Sequence, residues 1–311
     1  MTRLNRRRFL SISSAAGACA LAGGPAAAGA PLYRWRGIAM GADAEIILRH
    51  PEAERIVAMA LDEIARLEGI FSLYRADSAL SRLNAAGELA APPFELLECL
   101  GLCGGVNAAT GGLFDPTIQP LWALYAQNYA RGAKPAQAEI DAARAPVGWS
   151  GVSLDTARIR LTRPGMALTL NGVAQGYIAD RVADLLADAG LHDILVNAGE
   201  FRALGGHPDG GGWPIALDTG EGLIENAVAL RARALASSAP RGTVFDAEGQ
   251  VGHILDPRSG APAPGGTRLI SVTAPRAALA DALSTAMCLM TPPQIEAVLA
   301  RYPEAALVHR S

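Results

Sequence analysis

The stretch His253-Ile-Leu-Asp-Pro-Arg-Ser-Gly260 sets a histidine, a carboxylate, a guanidinium and a hydroxyl within eight residues closed by turn formers. Asp256-Pro257 favours turn initiation and Gly260 admits backbone angles that other residues resist, so the loop displays its polar groups from a fixed frame. A histidine there has the ordinary pKa for proton transfer near neutrality, and it equally suits a hydrogen-bonded turn. Asp281 and Thr285 stand four residues apart, a spacing that turns both oxygens to one side of a helix, with Ser284 alongside. Hard oxygens suit magnesium, and a divalent cation would compensate an aspartate buried among Ala280, Ala282, Leu283 and Ala286. The alternative is an exposed aspartate and a threonine bonded to its own backbone.

Three further segments carry polar groups on turns. Asn171-Gly-Val-Ala-Gln-Gly-Tyr177 joins a strand to a helix whose first turns carry Asp180. Its glycines let a ligand approach backbone amides at a helix N-terminus, which attracts phosphate. Thr110-Gly-Gly-Leu-Phe-Asp-Pro-Thr117 repeats the Asp-Pro-hydroxyl theme, and reads as a helix stop as well as a site. Phe71 to Asn84 ends a long helix with Tyr74 and several hydroxyls, and Asp77 or Ser78 can start the next helix as its cap. The chain's single lysine, Lys134, lies between Ala133 and Pro135, which excludes Walker phosphate loops and Ser-x-x-Lys acyl enzymes.

Elements that would position these groups follow from periodicity. Helices are expected over Pro51–Ile70, Phe94–Ala109, Leu121–Asn128, Gln137–Ala143, Gly176–Ala189, Arg276–Met290 and Gln294–Arg301. Strands are expected over Glu45–Leu48, Ala167–Leu170, Asp193–Val196, Pro214–Asp218, Val228–Leu230, Gly252–Leu255 and Leu269–Thr273. The two kinds are interspersed without regular alternation, which favours an α+β domain over a doubly wound parallel sheet. The glycine cluster around His207-Pro208 reads as a plain loop between strands.

The first 28 residues stand apart. Asn5-Arg-Arg-Arg-Phe-Leu10, an alanine-rich apolar run and Ala26-Ala-Ala28 have the form of a twin-arginine export signal cleaved after Ala28, leaving a domain over 31–311. The apolar run is shorter than the ~20 residues of a membrane span, and Ala16-Gly-Ala18 before Cys19 lacks the large aliphatic residue of a lipidation site. Cleavage removes four arginines, leaving 23 basic residues against 30 acidic ones, a net charge of −7 that argues against nucleic acid as partner. Cys99, Cys103 and Cys288 lie in apolar helical runs and read as core residues.

Taken in order, Met40-Gly41, Phe71 to Asn84, Gly112 to Thr117, Gly172 to Asp180, Asn197-Ala-Gly199, His253 to Gly260 and Ala280 to Thr285 resemble the ApbE family, the FAD:protein FMN transferases. The resemblance spans about Met40 to Met290 and implies a single large α+β domain with mixed or antiparallel sheets and an FAD cleft between its layers. It further implies magnesium at the FAD pyrophosphate and transfer of FMN to a threonine of an exported or membrane redox protein, with release of AMP, in the periplasm. Asp281 and Thr285 would then be side-chain magnesium ligands, and Gly172 would offer its carbonyl. His253 would be the general base, while Met40, Tyr74, Leu113, Phe114, Asp115, Gln175 and Leu255 match positions that contact FAD. Arg258 is a further candidate for phosphate or for structural pairing.

This chain departs from the family pattern at three positions. Gln175 stands where Lys or Glu is frequent, Thr169 where Asp is frequent, and Glu200 where Asn-Leu-Gly-Gly has its last glycine. Two other functions share the same residues: an FAD pyrophosphatase, with water replacing the acceptor threonine, and a non-catalytic flavin-binding or delivery protein. Retention of His253, Asp281 and Thr285 speaks against the last.

Overall fold

Alternation along the strands decides the architecture, because side chains of consecutive strand residues leave on opposite faces. A computed structural model describes residues 30–39 and 41–311; the expected export signal, Cys19 and Met40 lie outside the described residues. Seven strands form one antiparallel sheet in the order β1 (Tyr33–Ala39), β2 (Ala42–Leu48), β6 (Ile194–Asn197), β7 (Phe201–Leu204), β10 (Ala234–Ser238), β11 (Ile270–Ala274) and β12 (Ala306–Arg310). One face sends Ile46, Leu48, Ile194, Val196, Ala234, Ala236, Ile270 and Val272 into the main core. The other face sends Ile47, Leu195, Ala203 and Leu235 against Trp213, Ile215, Leu217 and Leu230.

Helices cover the first face. They are α1 (Ala53–Phe71), α2 (Ala79–Ala86), α3 (Phe94–Ala109), α6 (Ala174–Asp188), α7 (Ala277–Met287) and α8 (Pro292–Leu299), each contributing to the main core. The second face is covered by an antiparallel ribbon of β8 (Trp213–Asp218) and β9 (Leu223–Leu230). A small sheet of β3 (Glu88–Ala90), β5 (Arg158–Leu161) and β4 (Val152–Leu154) and the helices α4 (Gln119–Ala130) and α5 (Gln137–Arg144) complete the described chain. All these pairings are antiparallel, so the expected α+β class holds. No helix among the described residues is long and apolar enough to cross a membrane.

Two expected strands are loops. Ala167–Leu170 joins no sheet, because its backbone groups go to side chains and a loop: Asn84 Nδ2 donates to the Leu168 carbonyl at 2.8 Å, Leu168 N–H donates to Asn84 Oδ1 at 2.7 Å, and Thr169 N–H donates to the Pro116 carbonyl at 2.8 Å. Gly252–Leu255 makes only two isolated bridges, Val244 with Gly252 and Leu255 with Pro262. In each case the apolar residues face the core as a strand would, but no neighbouring strand offers a ladder. Strands β1, β3, β4, β5, β7, β10 and β12 were not expected: β3, β4, β5 and β7 have only three or four residues and β10 is buried at three successive positions, so they carry little periodic signal, whereas β1 and β12 alternate in burial.

The α6–α7 seam fixes the interior geometry. The residue before α7, Arg276, provides no side-chain cap; Asp180 of α6 does so instead, accepting from Ala277 N–H at 2.9 Å and Ala278 N–H at 3.0 Å. Asp180 is 1% exposed and lies 3.2 Å from Arg202 Nε and 3.4 Å from Arg276 Nε, so its buried charge is compensated on two sides. Gly176 is required here, since a Cβ would stand 2.4 Å from the Ala277 carbonyl oxygen. Replacing Asp180 with alanine leaves Arg202 without its ion-pair partner and two helix amides without an acceptor, while Arg276 keeps Asp184, and is expected to lower stability by roughly 3–5 kcal/mol, read by urea unfolding.

Candidate active site

A cavity of about 590 Å³ opens where the α6–α7 seam meets the sheet, within the range of small-molecule sites. Its wall holds Gly172, Gln175, His253, Leu255, Asp281 and Thr285, together with Leu113, Phe114 and Asp115. Nine of the expected site residues, drawn from four separate segments, thus converge on one space.

Asp281 is 3% exposed, and its Oδ2 accepts the Gly176 N–H at 3.3 Å, capping the first turn of α6 from α7. Burial pushes its carboxyl up to about 7. No basic side chain forms an ion pair with it among the described residues. One turn further, Thr285 Oγ1 lies 3.3 Å from Ser238 Oγ, and Gly172 packs so closely on it that a Cβ would meet that hydroxyl at 2.8 Å. A buried carboxylate without a cation, a hydroxyl and an adjacent glycine backbone form an oxygen donor set that fits a hard divalent cation.

His253 reaches the cavity from a loop held on other terms. Its Nδ1 lies 3.0 Å from the Thr243 carbonyl, which assigns the proton to Nδ1 and leaves the lone pair on Nε2. Burial moves its pKa below the ordinary value, outweighing the Thr243 and Pro240 carbonyls, so the ring is a neutral proton acceptor at pH 7. The loop is anchored by Leu255, which packs with Leu121 and Tyr125 of α4, and Phe245 meets Trp122 with ring centroids 5.4 Å apart.

Two polar residues of the His253 loop pair with each other. Asp256 accepts from Arg258 N–H at 2.8 Å and pairs with its guanidinium at 3.0 Å, which resolves Arg258 as a structural partner. Asp115 lines the cavity, yet Oδ1 accepts from Thr117 N–H and Oγ1 while Oδ2 accepts from Trp149 N–H at 3.1 Å, so its first task is to cap the turn at Pro116–Ile118. Leu113 and Phe114 are buried at 3% and 5% and belong to the core as well as the cavity floor. Gln175 lies against Gly199, whose φ of 101° leaves no room for a Cβ. Tyr74 stands apart from the cavity wall, 65% exposed, so the structure does not bring it to the other candidates.

Glu200 at the β6–β7 turn, Ser237 and Ser238 on β10, and Arg241 and Arg268 in loops also line the cavity. Sequence reasoning named none of them as site residues. Glu200 carried a signal as a departure from the family pattern; serines within an unrecognised strand carried none. Glu200 is 6% exposed, and burial first, then the charge of Asp281, pushes its carboxyl well above the usual range.

A sign for pH dependence follows. Asp281 and Glu200 keep protons in the folded protein that the unfolded chain releases above its ordinary carboxylate pKa, so the metal-free fold loses stability as pH rises from about 4 to about 7. His253 acts oppositely, since its lowered pKa costs stability as pH falls through about 6.5. In chelator, the melting temperature is therefore expected to fall more steeply from about pH 5 to about pH 8 in the native chain than in Asp281→Asn, where His253 is unchanged.

The ApbE family model matches residues 40–308. A Klebsiella pneumoniae protein named FAD:protein FMN transferase is 30% identical over 245 residues, covering 74% of each chain. A Haemophilus influenzae protein of the same name is 29% identical over 76% of this chain and 72% of its own. The apo crystal structure of Pseudomonas stutzeri flavinyl transferase ApbE superposes with a TM-score of 0.75 at 28% identity, over 88% of this chain and 90% of that one. The Thermotoga maritima ApbE protein gives 0.78 at 26% identity, over 89% and 93%. With the family model spanning nearly all the described chain and the expected residues gathered at one cavity, the chain belongs to the ApbE family.

Proposed function

We propose that this chain, a flavin transferase by family, moves FMN from FAD to a threonine hydroxyl of a partner redox protein, with magnesium bound and AMP released. The observation that carries the reading is the convergence of His253, Asp281, Thr285 and Gly172 on one cavity. In this reading Nε2 of His253 takes the threonine proton, the new bond forms between threonine oxygen and the FMN phosphorus, and the pyrophosphate bond breaks to free AMP. A magnesium ion held by Asp281, Thr285 and the Gly172 carbonyl would offset the charge building on the phosphoryl oxygens. Gln175, Leu113, Phe114 and Leu255 shape the wall for FAD, and the acidic mature surface suits a protein partner rather than nucleic acid.

The test is to incubate the protein with FAD, magnesium and a threonine-containing acceptor domain, and to weigh the products by mass spectrometry. The expected product is acceptor carrying one FMN in phosphoester linkage. Free FMN with unmodified acceptor would establish a pyrophosphatase instead, and intact FAD a carrier. Asp281→Ala is expected to abolish metal-dependent turnover with the fold retained, and His253→Ala to slow transfer by about 10²–10⁴-fold; near-normal transfer in either variant removes that residue from its role.

The Arg6-Arg-Arg8 signal reading supports a periplasmic site of action through twin-arginine export. Cell fractionation is expected to find the protein in the periplasm, and replacement of Arg6, Arg7 and Arg8 together by lysine to hold it in the cytoplasm.

A further inference from the structure

Glu200 is a buried carboxylate that the transfer reaction does not require. It lines the same cavity as Asp281, and the two are 6% and 3% exposed. Each is held by one backbone amide: Glu200 Oε2 accepts the Ser237 N–H at 3.1 Å, and Asp281 Oδ2 accepts the Gly176 N–H at 3.3 Å. Among the described residues, the second oxygen of each has no hydrogen-bond donor and neither carboxylate has an ion-pair partner. Arg202 pairs with Asp180, and Arg276 with Asp180 and Asp184; of the two arginines on the cavity wall, Arg268 pairs with Glu221, and neither it nor Arg241 forms an ion pair with Glu200 or Asp281. The amide that holds Glu200 is one residue from Ser238, whose Oγ is 3.3 Å from Thr285 Oγ1 and 2.7 Å from Ser284 Oγ.

Two carboxyl groups on one cavity wall, each more than nine-tenths buried and each with one oxygen free of a donor, are costly to ionise without a counter-charge. An isolated pair of this kind is costly, whereas a divalent cation between them brings the local charge to neutrality. We propose that Glu200 joins Asp281 and Thr285 as a direct ligand, making a two-carboxylate cation site that loads divalent metal on the flavin-free protein. The inference rests on the metal assignment of the proposed function and extends it, because the second carboxylate removes the need for the FAD pyrophosphate to complete the charge balance.

The test uses Mn²⁺ as an electron-paramagnetic probe of free metal, with Mg²⁺ as competitor, on purified protein shown by absorbance to carry no flavin. The native chain is expected to take up Mn²⁺ without FAD. Glu200→Gln keeps the acceptor for Ser237 N–H and is expected to bind Mn²⁺ about 10–100-fold more weakly. Removing a buried charge, the same variant is expected to melt no lower than the native chain in chelator; a merely structural Glu200 would melt lower. Glu200→Ala gives the same comparison if the glutamine variant does not fold. Unchanged Mn²⁺ affinity in these variants, or no uptake by the native chain without FAD, overturns the site. Glu200-dependent uptake in a protein that transfers no FMN would uphold this site and defeat only the transferase reading.

Discussion

Helices α6 and α7 cap one another, and the cavity depends on that exchange. Asp180 of α6 accepts the first amides of α7, and Asp281 of α7 accepts an amide in the first turn of α6. Each carboxylate meets the positive end of the other helix, where a negative charge is favoured. Only a glycine at 176 allows the two backbones so close. The consequence is positional: the turn at Gly172 and Gln175 is delivered to the flank of Thr285, so a site for ligands arises from what is first a packing device.

The two carboxylates of that exchange are in different electrostatic circumstances. Asp180 is sealed away with Arg202 and Arg276 close by, which makes it structural. Asp281 faces the cavity with no such partner, and Glu200 adds a second buried carboxyl to its lining. The floor of the cavity is therefore acidic and short of a cation, while Arg241 and Arg268 stand on its wall. His253 comes from a loop held on two sides, by Leu255 against α4 and by Ile254 in the main core that α6 and α7 share.

Much of this was readable beforehand, for identifiable reasons. Long amphipathic segments such as α1 and α6 announced themselves by period, and Ser78 proved to be the cap that starts α2, accepting the Ser81 N–H at 3.0 Å. Asn84, at the end of the hydroxyl-rich segment, clamps Leu168, which also explains why Ala167–Leu170 looks like a strand and is not one. Strands of three or four residues such as β3, β4, β5 and β7, and β10 with three successive buried positions, carry no alternation to read, while β1 and β12 do alternate.

By itself, the sequence determined the α+β class, the helices that bear chemistry, and the types and local spacing of the reactive groups, since these depend on periodicity and on contacts a few residues apart. Tertiary structure alone decided which of those groups share a space. It placed His253 and Asp281 on one cavity, moved Tyr74 off its wall, turned Asp115, Asp256 and Arg258 toward neighbours in their own turns, and set Glu200 beside Asp281. The physical reason is that burial and charge compensation are properties of the packed interior, where residues distant in sequence supply or withhold the partner of each buried group.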